Sequence, residues 1–196
     1  MELGTIKYFP WLNVPHSGKV YVDLDGVQFD FFKKLAELYG KPHWKDIPKE
    51  EDTFKRLQGT DFFATLPRFD STERFLKMVN KYSKGNFSIL SSPLRGDEEN
   101  SSKHKDTAVD RLFYDVFGEG FDKRRIYEHD KWKYSIDAIT GKPNILIDDA
   151  PHQLKAWREK GGIGIRYQAN ESKFEKFEQK LKDLFQPLAT KELQHG

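Results

Sequence analysis

At 196 residues the chain is long enough for one domain with a full core, with room for a small insertion. Its formal charge of +2, from 33 basic and 31 acidic residues interspersed along the sequence, lacks the basic bias of a dedicated duplex-DNA binder. The absence of cysteine excludes disulfides, thiolate catalysis and cysteine-based zinc or iron–sulfur sites.

No apolar run approaches the roughly 18 residues that would span a bilayer. The stretch from Met1 to Lys19 has neither the basic start nor the apolar centre of a secretion signal, so a soluble, cytoplasmic protein with no membrane partner is expected. The N-x-S tripeptides at Asn86, Asn100 and Asn170 are then chance matches. Aromatic residues reach 14%, sixteen of them Phe, which points to an aromatic core or to a pocket that stacks flat ligands.

Taken in order, short apolar runs alternate with helical patterns, the signature of βα units around a parallel sheet. The first run, Val20 to Asp25, ends at Gly26, and a helix from Phe31 to Tyr39 stops at Gly40. Lys41 to Leu66 carries Pro42, Pro48 and aromatic clusters without a clean strand, and reads as an insertion. Helical periodicity returns from Ser71 to Tyr82, with Asp70 or Ser71 placed to cap it. A strand over Phe87 to Ser91 follows, then a polar loop from Arg95 to Lys105 and a helix from about Asp106 to Phe117. Arg125 to Glu128 and Asn144 to Ile147 are further strands, the second running into Asp148-Asp149. A helix from Gln153 to Lys160, the turn at Gly161-Gly162, a strand from Ile163 to Arg166 and an amphipathic helix from Glu171 to Phe185 complete the pattern, with a frayed tail beyond.

Three of these strands end in reactive groups: Asp23 and Asp25, Ser91 and Ser92, Asp148 and Asp149. In a parallel sheet all carboxyl ends lie on one edge, where ligands bind. Residues two apart in extended chain point the same way, so Asp23 and Asp25 can address one site. Like charges converging there need a proton or a cation, and Mg²⁺ characteristically takes one or two carboxylates with substrate oxygens. Either acidic pair alone could be a strand end capping the next helix; two such pairs are hard to explain as capping.

Asp23-Leu24-Asp25-Gly26-Val27, Leu90-Ser91-Ser92-Pro93, a lysine at Lys131 or Lys133, and Ile145-Leu146-Ile147-Asp148-Asp149 resemble, in order, the four motifs of the haloacid dehalogenase superfamily. Within it the chain is similar to the 5'(3')-deoxyribonucleotidases, through Asp25 to Phe31, Asp61 to Leu66, Ser91-Ser92-Pro93 and Arg125 to Lys131. The chain has Ala150 where those enzymes tend to place a basic residue, which bears on substrate choice. The resemblance implies a Rossmann-like parallel sheet with helices on both faces, formed by residues 1–30 and 67–196, and a small, mainly helical cap over residues 31–66.

It also implies chemistry. Asp23 would be the nucleophile that forms an aspartyl-phosphate, and Asp25 the acid and base. Mg²⁺ would be held by Asp23, the main-chain carbonyl of Asp25, and one or both of Asp148 and Asp149. Ser91, Ser92 and a lysine would hold the phosphoryl oxygens, with Lys131 favoured over Lys133 by its place in the motif. Phe31, Phe62 and Phe63 would either stack a nucleobase or pack the cap onto the core. The expected substrate is a small phosphomonoester, most naturally a (deoxy)nucleoside monophosphate, and the resemblance leaves room for a homodimer. Nucleic-acid ends, sugar phosphates or a non-catalytic phosphate- or partner-binding role are the alternatives. Lys103, His104 and Lys105 could reach phosphate, but read first as a solvated basic face before a helix, His129 reads as structural or surface, and Gly161 to Gly164 as a turn rather than a phosphate loop.

Overall fold

The computed structural model of the chain describes residues 18–48 and 52–186; the expected signal-less N-terminus, save Gly18 and Lys19, and the frayed tail lie outside the described residues. Five strands form one sheet: β1 (Val20–Val22), β2 (Phe87–Ser91), β3 (Arg125–Tyr127), β4 (Ile145–Asp148) and β5 (Ile163–Arg166). All pairings are parallel and the order is β3-β2-β1-β4-β5. The chain builds outward from β1 through β2 to β3, then crosses back to lay β4 against the other side of β1. That reversal places a crevice at the carboxyl ends of β1 and β4.

Alternation along the strands feeds two cores. Val20, Val22, Phe87, Ile89, Ile145 and Ile147 pack with residues of α2 (Thr72–Tyr82), α3 (Glu98–Phe117) and α5 (Phe174–Phe185). Tyr21, Leu90, Ile126 and Leu146 face the other way, onto Leu154 and Trp157 of α4 (Pro151–Glu159). Helices thus cover both faces, and the central strands are wholly buried, as in α/β proteins generally. The Gly161-Gly162 turn has a packing reason: a Cβ on Gly162 would sit 2.2 Å from the Trp157 indole nitrogen, which donates to the Asn144 carbonyl.

Residues 31–66 hold α1 (Phe31–Leu38), capped by Asp30, whose side chain accepts from the Lys33 N–H, and short 3₁₀ turns at Trp44–Asp46, Lys55–Leu57 and Phe62–Thr65. The ends of the segment are pinned together by a Phe29–Arg68 bridge and by the Asp30 N–H on the Pro67 carbonyl. Its Phe31, Leu35, Leu57, Phe62, Phe63 and Leu66 join the same buried cluster as the α3 side of the sheet.

Several boundaries differ from the sequence expectation. The first strand ends at Val22 rather than Asp25, because the Leu24 carbonyl collects the N–H groups of Val27, Gln28 and Phe29 in a tight turn. The expected loop from Arg95 to Lys105 is mostly helix, since α3 begins at Glu98. Glu98 and Glu99 suit the positive end of its dipole. Its buried stripe runs Ser101, Lys105, Ala108, Val109, Leu112, Phe113 and Val116. The two polar members at the start hide the periodicity from a reading of apolar residues alone. The fourth helix starts at Pro151, a residue preorganised for a first turn, and the last at Phe174.

Candidate active site

Asp23 follows β1 and Asp148 ends β4, on adjacent strands, with the Asp23 N–H on the Ile147 carbonyl at 3.0 Å. Between them rises Lys131, from a 3₁₀ turn at Lys131–Tyr134 beyond β3. Its ammonium lies 2.8 Å from Asp23 Oδ1 and 2.7 Å from Asp148 Oδ2, and the residue is 2% exposed. Burial alone would lower the Lys131 pKa, but Asp148 and Asp23 outweigh it and hold the cation above its ordinary value. Lys133, at the far side of the same turn, pairs with Glu128 and Asp130 in solvent. Of the two candidate lysines, Lys131 is the one at the acidic crevice.

Asp23, Asp148 and Asp149 bring carboxylate oxygens within 4.8 Å of one another. Burial, then the charges of Asp23, Asp148 and Asp25, push Asp149 up to about 8. Burial likewise raises Asp148, with Lys131 opposing and the Asp23 charge adding to it. A trio so crowded fits a hard divalent cation, and the all-oxygen donor set suits Mg²⁺. The backbone makes room for it. Gly26 has φ +78°, and a Cβ there would lie 2.4 Å from Asp149 Oδ2, so only glycine allows this approach. The Asp25 carboxylate is not part of the trio; the resemblance implies only its main-chain carbonyl as a metal contact.

Asp25 turns instead to Lys105 of α3. The Lys105 ammonium donates to Asp25 Oδ2 at 2.7 Å, Ser91 Oγ at 3.0 Å and the Ser92 carbonyl at 2.7 Å, and stands 4.8 Å from the centre of the Phe63 ring. The expected solvated face is therefore wrong for Lys105, which is 2% exposed, although Lys103 is exposed as anticipated. Burial pushes the Asp25 carboxyl up, Lys105 opposes this, and the neighbouring Asp23 charge raises it further.

A cavity of about 270 Å³ opens over these groups, lined by Asp23, Asp25, Lys105, Lys131 and Asp149 on the polar side, with Ser92, His152 and Gln153 nearby. Phe31, Phe32, Phe54, Phe63, Pro93 and Leu94 make its apolar wall. Ser91 is fully buried behind Lys105, while the Ser92 hydroxyl lies 3.4 Å from the Gln153 amide and from the Glu128 carbonyl. Phe62 is not in the wall; it meets Phe31 and Phe63 edge-on behind them, as packing. Phe54, which the sequence reading passed over, is 54% exposed and stacks on Phe31 at the wall. A larger hollow of about 670 Å³ lies beside β3, but there Arg125 is neutralised by Asp106, Asp110 and Asp122 and nothing converges for chemistry.

The molecule is thus a parallel α/β protein with a lysine-threaded acidic crevice at its topological switch point. No protein-family model and no curated protein matches the chain. Among solved structures it is similar to a hydrolase from Pseudomonas syringae, at 14% identity over 83% of this chain and 89% of that one, with a TM-score of 0.41. A haloacid dehalogenase-like family hydrolase from Streptococcus pneumoniae shares 12% identity over 76% and 83%, with a TM-score of 0.38. A HAD family hydrolase from Deinococcus radiodurans R1, with bound phosphate and sodium, shares 13% over 90% and 100%, with a TM-score of 0.36. Likenesses this distant leave the side chains of the site to carry the functional argument.

Proposed function

We propose that the chain is a Mg²⁺-dependent phosphomonoester hydrolase of the haloacid dehalogenase kind, acting on (deoxy)nucleoside monophosphates. The observation that carries this is Asp23, paired with Lys131 and clustered with Asp148 and Asp149, with a second acid, Asp25, in the same cavity. A pure phosphate binder has no use for that second acid.

Asp23, Asp148 and Asp149 would hold the cation, which supplies charge neutralisation so that a carboxylate can approach a phosphate dianion. Asp23 attacks phosphorus in line; as its bond forms, the ester P–O bond breaks and the leaving oxygen takes a proton from Asp25. The raised Asp25 pKa supports a carboxyl that is protonated when substrate arrives. Water then attacks the aspartyl-phosphate, gives its proton to Asp25, and releases inorganic phosphate with Asp23 restored. Lys131 stays charged throughout and steadies Asp23 and the phosphoryl oxygens. The segment over residues 31–66 acts as a cap, its Phe31, Phe54 and Phe63 forming the apolar wall against which a nucleobase would stack.

The test is phosphate release from a panel of nucleoside monophosphates and an aryl phosphate, with Mg²⁺ or with chelator. Asp23→Asn should lower turnover at least on the order of a thousandfold, since it removes the atom that forms the intermediate. Full turnover in chelator, or by the Asn variant, would overturn the mechanism.

A further inference from the structure

Lys105 has no part in the chemistry above, yet it is among the largest fully buried side chains of the molecule. All three of its hydrogens are spent on the site: on Asp25 from the end of β1, on Ser91 Oγ at the end of β2, and on the carbonyl of Ser92. The arrangement has two consequences. First, Asp25 hangs on Lys105: its Oδ2 takes the 2.7 Å bond, and its Oδ1 is buried with no hydrogen-bond partner among the described residues. Among the described residues no other hydrogen bond fixes the direction of that carboxyl toward the cavity it lines. Second, Ser91 Oγ accepts from Lys105, so its own proton must be aimed elsewhere. The Phe63 ring lies over the same ammonium at 4.8 Å, so the aromatic wall and the acid share one cation.

We infer that Lys105 is a positioning residue: it orients the Asp25 carboxyl for proton transfer to the leaving oxygen, and turns the Ser91 hydroxyl into a donor. This rests on the phosphatase reading and deepens it. A phosphate-holding lysine such as Lys131 matters for every substrate. A lysine that acts through the acid spares formation of the aspartyl-phosphate from an activated ester, whose phenolate leaves without a proton, and slows the later attack of water, where Asp25 is the base.

The experiment compares Lys105→Met with the parent, both with Mg²⁺, measuring kcat and KM on a nucleoside monophosphate and the first-turnover release of dinitrophenolate from dinitrophenyl phosphate. The expected result is a loss of about a hundredfold or more in kcat on the nucleotide and less than about fivefold in the first-turnover release of dinitrophenolate, with KM for the nucleotide little changed. Activity on the activated ester doubles as the test of folding. If Lys105→Met does not fold, Lys105→Gln, which keeps an amide donor, is put through the same comparison. Equal losses on both esters would overturn the proposal and make Lys105 a phosphate ligand; no loss on either would make it idle. A parent chain that hydrolyses neither ester would instead sink the phosphatase reading, and the positioning role with it.

Discussion

Lys131 and Lys133 sit two positions apart and have opposite surroundings. The Lys131 side chain is 2% exposed between two buried carboxylates, whereas that of Lys133 is 46% exposed beside Glu128 and Asp130. Removing one partner of a buried ion pair leaves the others desolvated and uncompensated, a loss of about 3–5 kcal/mol. Lys131→Ala should therefore lower thermal stability markedly in the absence of metal, and should abolish phosphate release. Lys133→Ala should leave activity within about twofold, because exposed pairs contribute little. Melting curves and turnover of the two variants, side by side, check this; a crippled Lys133 variant beside a healthy Lys131 variant would reverse the assignment.

At the scale of elements, the segment over residues 31–66 divides its rings by exposure. Phe31 and Phe63 are nearly buried, so truncating either removes core packing as well as any ligand contact, at about 3–5 kcal/mol. Phe54, 54% exposed and stacked on Phe31, separates the two roles cleanly. Stacking a base is worth roughly 1–3 kcal/mol. Phe54→Ala should accordingly reduce nucleotide turnover by about tenfold or more, while sparing a small aryl phosphate and the melting temperature. Equal effects on both substrates would leave Phe54 without a role in base recognition. The same scale explains α3: pinned to the segment by Asp97 on the Gly59 N–H and Asn100 on the Thr60 carbonyl, it delivers Lys105 to the floor under those rings.

For the molecule as a whole, the crowded carboxylates of the crevice oppose folding as they ionise. Asp149 has an ordinary carboxyl pKa of 3.8 when unfolded and about 8 in the fold. The unfolded chain therefore gives up that proton first as pH rises. The contribution of the neutral carboxyl to stability is whole below about 3.8 and is lost as pH climbs through about 8. Each pKa unit is about 1.4 kcal/mol, and each kcal/mol moves the melting temperature of a protein this size by roughly 2–4 °C. Chelator-treated protein should thus melt several degrees lower at about pH 8 than at about pH 5, and Mg²⁺ should restore most of the difference at the higher pH. Asp149→Asn should flatten both responses. A melting temperature at about pH 8 that ignores Mg²⁺ would count against the trio as its site.

What the sequence determined by itself was whatever is local. Apolar runs of strand length mark the sheet, and Asp23, Ser91 and Asp148 stand at their ends along one edge, because side-chain period and chain reversal are written residue by residue. The lack of a clean strand from Lys41 to Leu66 reads as an insertion. Tertiary structure alone decided the rest. Whether a polar side chain is solvated or buried depends on partners far away in sequence. Lys105 reads as one of three basic residues in a polar loop before a helix until the fold sets it against Asp25, 80 positions earlier. Lys131 is chosen over its neighbour by Asp148 and Asp23, on strands that its own sequence context does not contain. Phe54 joins the cavity wall and Phe62 leaves it for the same reason: the backbone of a loop-rich segment, more than its residue types, decides which ring faces the opening.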